Sequence, residues 1–282
     1  MYDEILLPVD EPLPPEALLQ HVARLATWAE ASVTVLHVAD TSQDSVTLVE
    51  DQVIDVLVES GEETTASAAE TLRALGATVE TDVVQGNPAP TIVEYAERYE
   101  YDLVVMHTRA DEGLAGRLLG SVAKKVLRLA SVPVLTMRAK PDERLSFPYE
   151  ELLVPTDGSD VATQAGRHAF SMASALDATI HLLSVVDDTG LRGTVADDEG
   201  PAQEAIDTLA ALDTDPDPAL RTHIEHGDPK ATILDYAERV DAIVMGTTGR
   251  RGTERILLGS VAEATVRAAP IPVFTLGAES ST

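Results

Sequence analysis

The residues best suited to chemistry are glycines. In the stretch MGTTGRRGTERILLGSVA (245–262), Gly246, Gly249 and Gly252 cluster at the front, and Gly259 with Ser260 stands at the back. Without a Cβ, the front glycines let the backbone turn sharply and come close to an anion. Gly259 and Ser260 fall where a helix begins, and its free N–H groups and positive dipole end suit a phosphate. The Ser260 hydroxyl adds a donor, and Arg250 and Arg251 bring positive charge to a chain that has 20 cationic residues against 48 acidic ones. Asp157, in VPTDGS, suits the hydroxyls of a ribose, because one carboxylate accepts two hydrogen bonds. Together these residues describe a cradle for a phosphorylated sugar.

The same stretch occurs earlier as MHTRADEGLAGRLLGSVA (106–123). Gly120 and Ser121 persist there. His107 and Ala110 replace Gly246 and Gly249, and Asp111 and Glu112 stand in place of Arg250 and Arg251. Likewise Thr156-Asp157-Gly158-Ser159 becomes Val9-Asp10-Glu11-Pro12. Two carboxylates facing a phosphate oppose binding, so the earlier copy is expected to keep the fold and lose the anion.

Other candidates carry less. His226 in HGDP faces Gln85 in the matching QGNP, so it reads as a loop histidine without chemistry. His107 is expected to fill the vacated pocket, and His37 to be structural at a strand end. Asp187 and Asp188 read as a solvated strand end. The histidines show no HExxH spacing, and no GxxxxGK[ST] or GxSxG occurs, so no catalytic and no metal residues are assigned.

The elements that must position the cradle repeat. YDEILLPVD (2–10) matches YEELLVPTD (149–157) and VTVLHVAD (33–40) matches IHLLSVVD (180–187), each 147 residues on. YAER (95–98) recurs at 236–239, and LGSVA (119–123) at 258–262. The order is kept over nearly all 282 residues, which predicts two homologous domains, 1–140 and 147–282, parted at the polar, proline-bearing segment near Ala139–Phe147. In the second copy the apolar runs ELLVPTD, ATIHLLSVVD, RTHIEHG, DAIVMGT and IPVFTLG alternate with helical spacing over 162–176, 197–212, 228–239 and 260–268. Five strands and four helices per copy predict a Rossmann-like α/β domain with a parallel five-stranded sheet. With strand order 3-2-1-4-5, strands one and four meet at the reversal, where ligands bind, and Asp157 and the glycine loop share one cleft.

Composition narrows the classes. A net charge of −28, spread over both copies, argues against a nucleic-acid binder and fits solubility in a very salty cytoplasm. There are no cysteines, so disulfides and thiolate metal sites are excluded. No apolar run reaches the ~18 residues of a membrane span, and the acidic start MYDEILLPVD is unlike a secretory signal; a cytoplasmic location is expected.

On the spacing G-x2-G-x9-G-[ST], met by Gly246, Gly249, Gly259 and Ser260, together with DGS after LLVPT and the duplicated unit, the chain resembles tandem members of the universal stress protein family. The resemblance implies adenine-nucleotide binding, ATP or AMP, with Mg²⁺ as the companion ion. It implies that Asp157 holds the ribose beside Pro155 and Thr156, that the Val185 backbone reads the adenine edge, and that Met245 and Gly246 line base and ribose. Gly249, Arg250, Gly259, Ser260 and Val261 would surround the phosphates. The N-terminal copy, with Asp10, Val38, Met106, Gly120 and Ser121, falls with the family's non-binding subset. The resemblance also implies pairing through the fifth strands, Val132–Thr136 with Ile271–Thr275, as an intramolecular pseudo-dimer, and leaves room for a homodimer of whole chains. A slow ATP hydrolase and a nucleotide-free interaction scaffold are the competing readings.

Overall fold

A computed structural model describes residues 1–40, 46–49, 52–108, 119–138, 143–187, 199–212, 214–248 and 258–277. The N-terminal copy contains β1 (Glu4–Pro8), α1 (Glu16–Ala29), β2 (Ser32–Asp40), β3 (Val46–Val49), β4 (Gln52–Asp55), α2 (Val56–Ala74), β5 (Thr78–Gly86), α3 (Pro88–Arg98), β6 (Leu103–Thr108), α4 (Ser121–Leu129) and β7 (Val134–Arg138). The C-terminal copy contains β8 (Glu151–Pro155), α5 (Asp160–Leu176), β9 (Thr179–Val186), α6 (Gly200–Ala210), β10 (Leu220–His226), α7 (Pro229–Ala237), β11 (Ala242–Gly246), α8 (Ser260–Ala268) and β12 (Val273–Leu276).

The strands form one ten-stranded mixed sheet in the order β10-β9-β8-β11-β12-β7-β6-β1-β2-β5, in which five parallel strands from each copy meet at β7 and β12. All neighbours are parallel except β7 and β12, which run antiparallel with Thr136 opposite Val273, Leu135 opposite Phe274 and Val134 opposite Thr275. The ladder is shorter than Val132–Thr136 against Ile271–Thr275, because Pro133 and Pro272 have no N–H to give. Their carbonyls instead accept from Val104 and Ile243 on the neighbouring strands, each at 3.0 Å. The β3–β4 hairpin forms a second small sheet, without a counterpart among the described residues of the C-terminal copy.

The inner strands are apolar on both faces, as a sheet covered by helices requires, while the edge strands β5 and β10 are more polar and exposed. One core layer gathers residues of α1, α2, α5 and α6, including Leu18, Leu25, Phe170 and Leu209, and continues across the β7–β12 junction through Leu135 and Phe274. The opposite layer gathers residues of α3, α4, α7 and α8, including Ile92, Leu127, Ile233 and Val266. Equivalent anchors set the first strand of each copy. Asp102 accepts from the N–H groups of Asp3 and Glu4 (2.7 and 3.0 Å), and Asp241 from those of Glu150 and Glu151 (2.8 and 3.0 Å).

Candidate ligand site

The ladder between β8 and β11 covers only Leu152–Ala242 and Leu153–Ile243. Pro155 cannot donate, and the Thr156 N–H turns the other way, to the Leu183 carbonyl on β9 at 2.8 Å. The carboxyl ends of the two strands are thus not paired with each other where the strand order reverses, the usual place for a ligand crevice.

One wall is the start of α5. Ser159 caps that helix by accepting from the Ala162 N–H at 3.3 Å. The turn before it is drawn tight: Asp157 accepts from the Ser159 N–H (3.1 Å), Thr156 Oγ1 accepts from the Gly158 N–H (3.1 Å), and Gly158 takes φ +73. Thr156 is buried and Asp157 exposed, so the carboxylate is the side chain presented to solvent. Gly246 closes against this wall. A Cβ there would lie 2.9 Å from Val161 Cγ1 and 3.2 Å from the Ala162 N. Any side chain at 246 therefore pushes on the first turn of α5.

The other wall is the start of α8. The Gly259 N–H donates to the Thr247 carbonyl at 2.7 Å, and a Cβ on Gly259 would lie 3.0 Å from that same oxygen. Glycine is what lets the β11 end and the α8 start come together. Gly259 caps α8 without a side-chain bond, so the N–H groups that open the helix have no side-chain acceptor at the cap. Ser260 is exposed and Val261 half-buried against the core.

The structure thus brings Pro155, Thr156, Asp157, Gly246, Gly259 and Ser260 to one end of the sheet. Val185 lies further along β9, opposite Glu225 of β10, and packs partly against the core. The Met245 side chain is 5% exposed and belongs to the α7–α8 core layer, so only its main chain is free to face a base. Gly249, Arg250, Arg251 and Gly252, and in the other copy Ala110, Asp111 and Glu112, lie outside the described residues, as does Asp188. Two contributors were not anticipated. Thr247 offers the carbonyl that fixes Gly259, and Val161 sets the limit on Gly246; the run GTT and the apolar residue after SD are too common to have marked them.

The N-terminal crevice is built otherwise. β1 and β6 likewise pair only at Ile5–Leu103 and Leu6–Val104. However, α1 begins at Glu16, whereas the residue matching the first of α5 is Leu13. Pro12, Pro14 and Pro15 bias the preceding residues away from helix, and the first turn is lost. The half-buried His107 occupies the position of Gly246, where its side chain needs the space that turn would fill. Glu11 points to α2, where the Ser60 hydroxyl donates to it at 3.3 Å. Among the described residues a Cβ on Gly120 would meet nothing within 4 Å, unlike one on Gly259. His37 lies within β2, not at its end, and its Nδ1 is 3.1 Å from the Val9 carbonyl. His226 ends β10 with its Nε2 3.2 Å from Glu199.

The model of the universal stress protein family matches residues 1–138 and 148–276. A universal stress protein of Methanocaldococcus jannaschii is 37% identical over 141 residues, which is 45% of this chain and 82% of that one. One from Mycolicibacterium smegmatis is 27% identical over 295 residues, 96% of each chain. The crystal structure of a universal stress protein from Archaeoglobus fulgidus superposes with a TM-score of 0.76 at 25% identity, over 97% of this chain and 98% of that one.

Proposed function

The chain belongs to the universal stress protein family, and on that footing we propose that its C-terminal domain, 147–282, binds an adenine nucleotide between the ends of β8 and β11. The N-terminal domain, 1–140, is its structural partner, docked through β7 and β12 as the other half of an internal pseudo-dimer. The observation that carries this reading is the contrast between the copies. Gly246 and Gly259 let the α5 turn, the end of β11 and the start of α8 close together, where a Cβ would press on Val161 or the Thr247 carbonyl, whereas the N-terminal copy has His107 in place of Gly246.

In this reading the phosphates sit on the α8 N-terminus, where the opening N–H groups and the Ser260 hydroxyl donate to them. Asp157 accepts from the ribose hydroxyls, and the main chain at Val185 and Met245 meets the base. Gly249 and Arg250 complete the phosphate side, and Mg²⁺ travels with a triphosphate. The role is that of a binding module, because no general base is assigned near the phosphates.

The test is thermal unfolding with ATP, AMP or GTP. A ligand at one hundred times its Kd stabilises by about 2.7 kcal/mol. ATP or AMP should raise Tm by several degrees in the natural chain, GTP less, and Gly259→Glu should abolish the shift. Equal shifts in both proteins would refute the placement.

A further inference from the structure

Tyr2 and Tyr149 hold matching places in the two copies, as do His21 and His168, each 147 residues apart. The structure crosses them. The Tyr2 hydroxyl lies 2.7 Å from His168 Nε2, and the Tyr149 hydroxyl 2.8 Å from His21 Nε2, so each bond joins one copy to the other. Around them runs an aromatic seam. Phe147 meets His21, Tyr149 and Trp28 edge-on, and Phe274 lies between Tyr149 and His168. Trp28 is the chain's one tryptophan.

We propose that these crossed Tyr–His bonds form an acid-sensitive latch, which holds the two halves together on neutral imidazoles and releases them when both rings are protonated. The latch rests on the proposed docking of the halves as two bodies and does not require nucleotide.

The surroundings favour neutral rings. Burial pushes both histidines down to about 4, and the Arg24 charge on α1 acts on His21 in the same direction. The Leu145 carbonyl opposes this at His21 without closing a bond of normal geometry, since Nδ1 has no hydrogen-bond partner. From the segment before β8, His21 faces Phe147 and Tyr149; the Tyr149 phenol is raised by burial and by Tyr2 and Asp241. His168 faces Phe274 and Tyr2, whose phenol is raised by burial and by Asp102. Both phenols therefore keep their protons, and with the imidazole proton on Nδ1 each hydroxyl donates to a bare Nε2. Among the described residues no carboxylate is bonded to either imidazole. A proton on Nε2 takes away the acceptor and leaves a cation in an apolar seam without a counter-ion, which is costly.

The experiment follows the full chain in molar KCl without nucleotide, from pH 7.5 to 4.0, by Trp28 emission, radius of gyration and far-ultraviolet circular dichroism. The latch predicts a red shift of Trp28 and a larger radius at a common midpoint between pH 4 and 6, with helix content retained. The variant Tyr2→Phe/His21→Phe/Tyr149→Phe/His168→Phe should stay compact at least one pH unit lower. Histidine-ring NMR on the natural chain should show both rings neutral above the midpoint. A constant Trp28 signal to pH 4.0, helix loss coincident with the Trp28 change, an unaltered midpoint in the variant, or rings titrating near 6.5 in the compact state would each overturn the latch.

Discussion

Two glycines in the same local sequence, LGSVA, respond differently to a methyl group. Both cap a helix in extended conformation, Gly120 at φ −53 and Gly259 at φ −61, so the loss of capping preference on mutation to alanine is common to both. What differs is the Thr247 carbonyl, 3.0 Å from a Cβ on Gly259, whereas no described atom comes within 4 Å of one on Gly120. Overpacking against backbone costs about 1–3 kcal/mol. Gly259→Ala should therefore destabilise by at least ~1 kcal/mol more than Gly120→Ala, read from urea midpoints at equal slope. Equal costs would mean that α8 does not close on β11 as described. The motif itself was legible because glycine spacing survives in sequence. The Thr247 approach was not, since it depends on where β11 ends relative to α8, and no residue type records that distance.

Among the elements, those present in both copies were the legible ones. α8 spans Ser260–Ala268, the bounds its pattern predicts, because Gly259 and Ala269 take extended conformations at its ends. α5 starts two residues before the expected 162, since Ser159 caps it and Asp160 sits in the favourable first turn. α7 ends at Ala237 rather than 239. The β3–β4 hairpin is not legible from the repeat, since VTLV and QVID have no matching run in the second half of the sequence. The contrast between α1 and α5 gives the prediction at this scale. Ser159→Ala removes the bond to the Ala162 N–H and should cost about 1 kcal/mol. Because Gly246 packs on that same first turn, nucleotide affinity should fall with it. Titration calorimetry on Ser159→Ala and on Ser159→Asp, which restores a cap acceptor, separates the two outcomes: wild-type affinity in the alanine variant would show that the α5 turn plays no part in the site.

For the whole molecule, two electrostatic effects act in opposite directions as pH falls, and salt separates them. At pH 7 the charge of −28 repels itself, a cost that screening over ~3 Å at 1 M salt largely removes. The urea midpoint should therefore rise from low to molar KCl at pH 7.5, and equal midpoints would end the expectation of a protein suited to high salt. Acid relieves the same repulsion by protonating carboxylates near pH 4, so at low salt the histidine effect is partly masked. In molar KCl it stands clear. His21 and His168 bind protons near 6.5 when unfolded and near 4 when folded. Between those values the unfolded chain holds more protons, so stability rises with pH. Their contribution is fully present above about 6.5, declines as pH falls, and levels off below about 4. Two protons give a slope of up to ~2.7 kcal/mol per pH unit within that window. Denaturant unfolding at half-unit steps from pH 7.5 to 4.5 measures it directly, and the slope should collapse when both Tyr–His pairs are replaced by phenylalanine. A flat profile in the natural chain would mean that the two rings are solvated, and with that the buried aromatic seam joining the copies would be wrong.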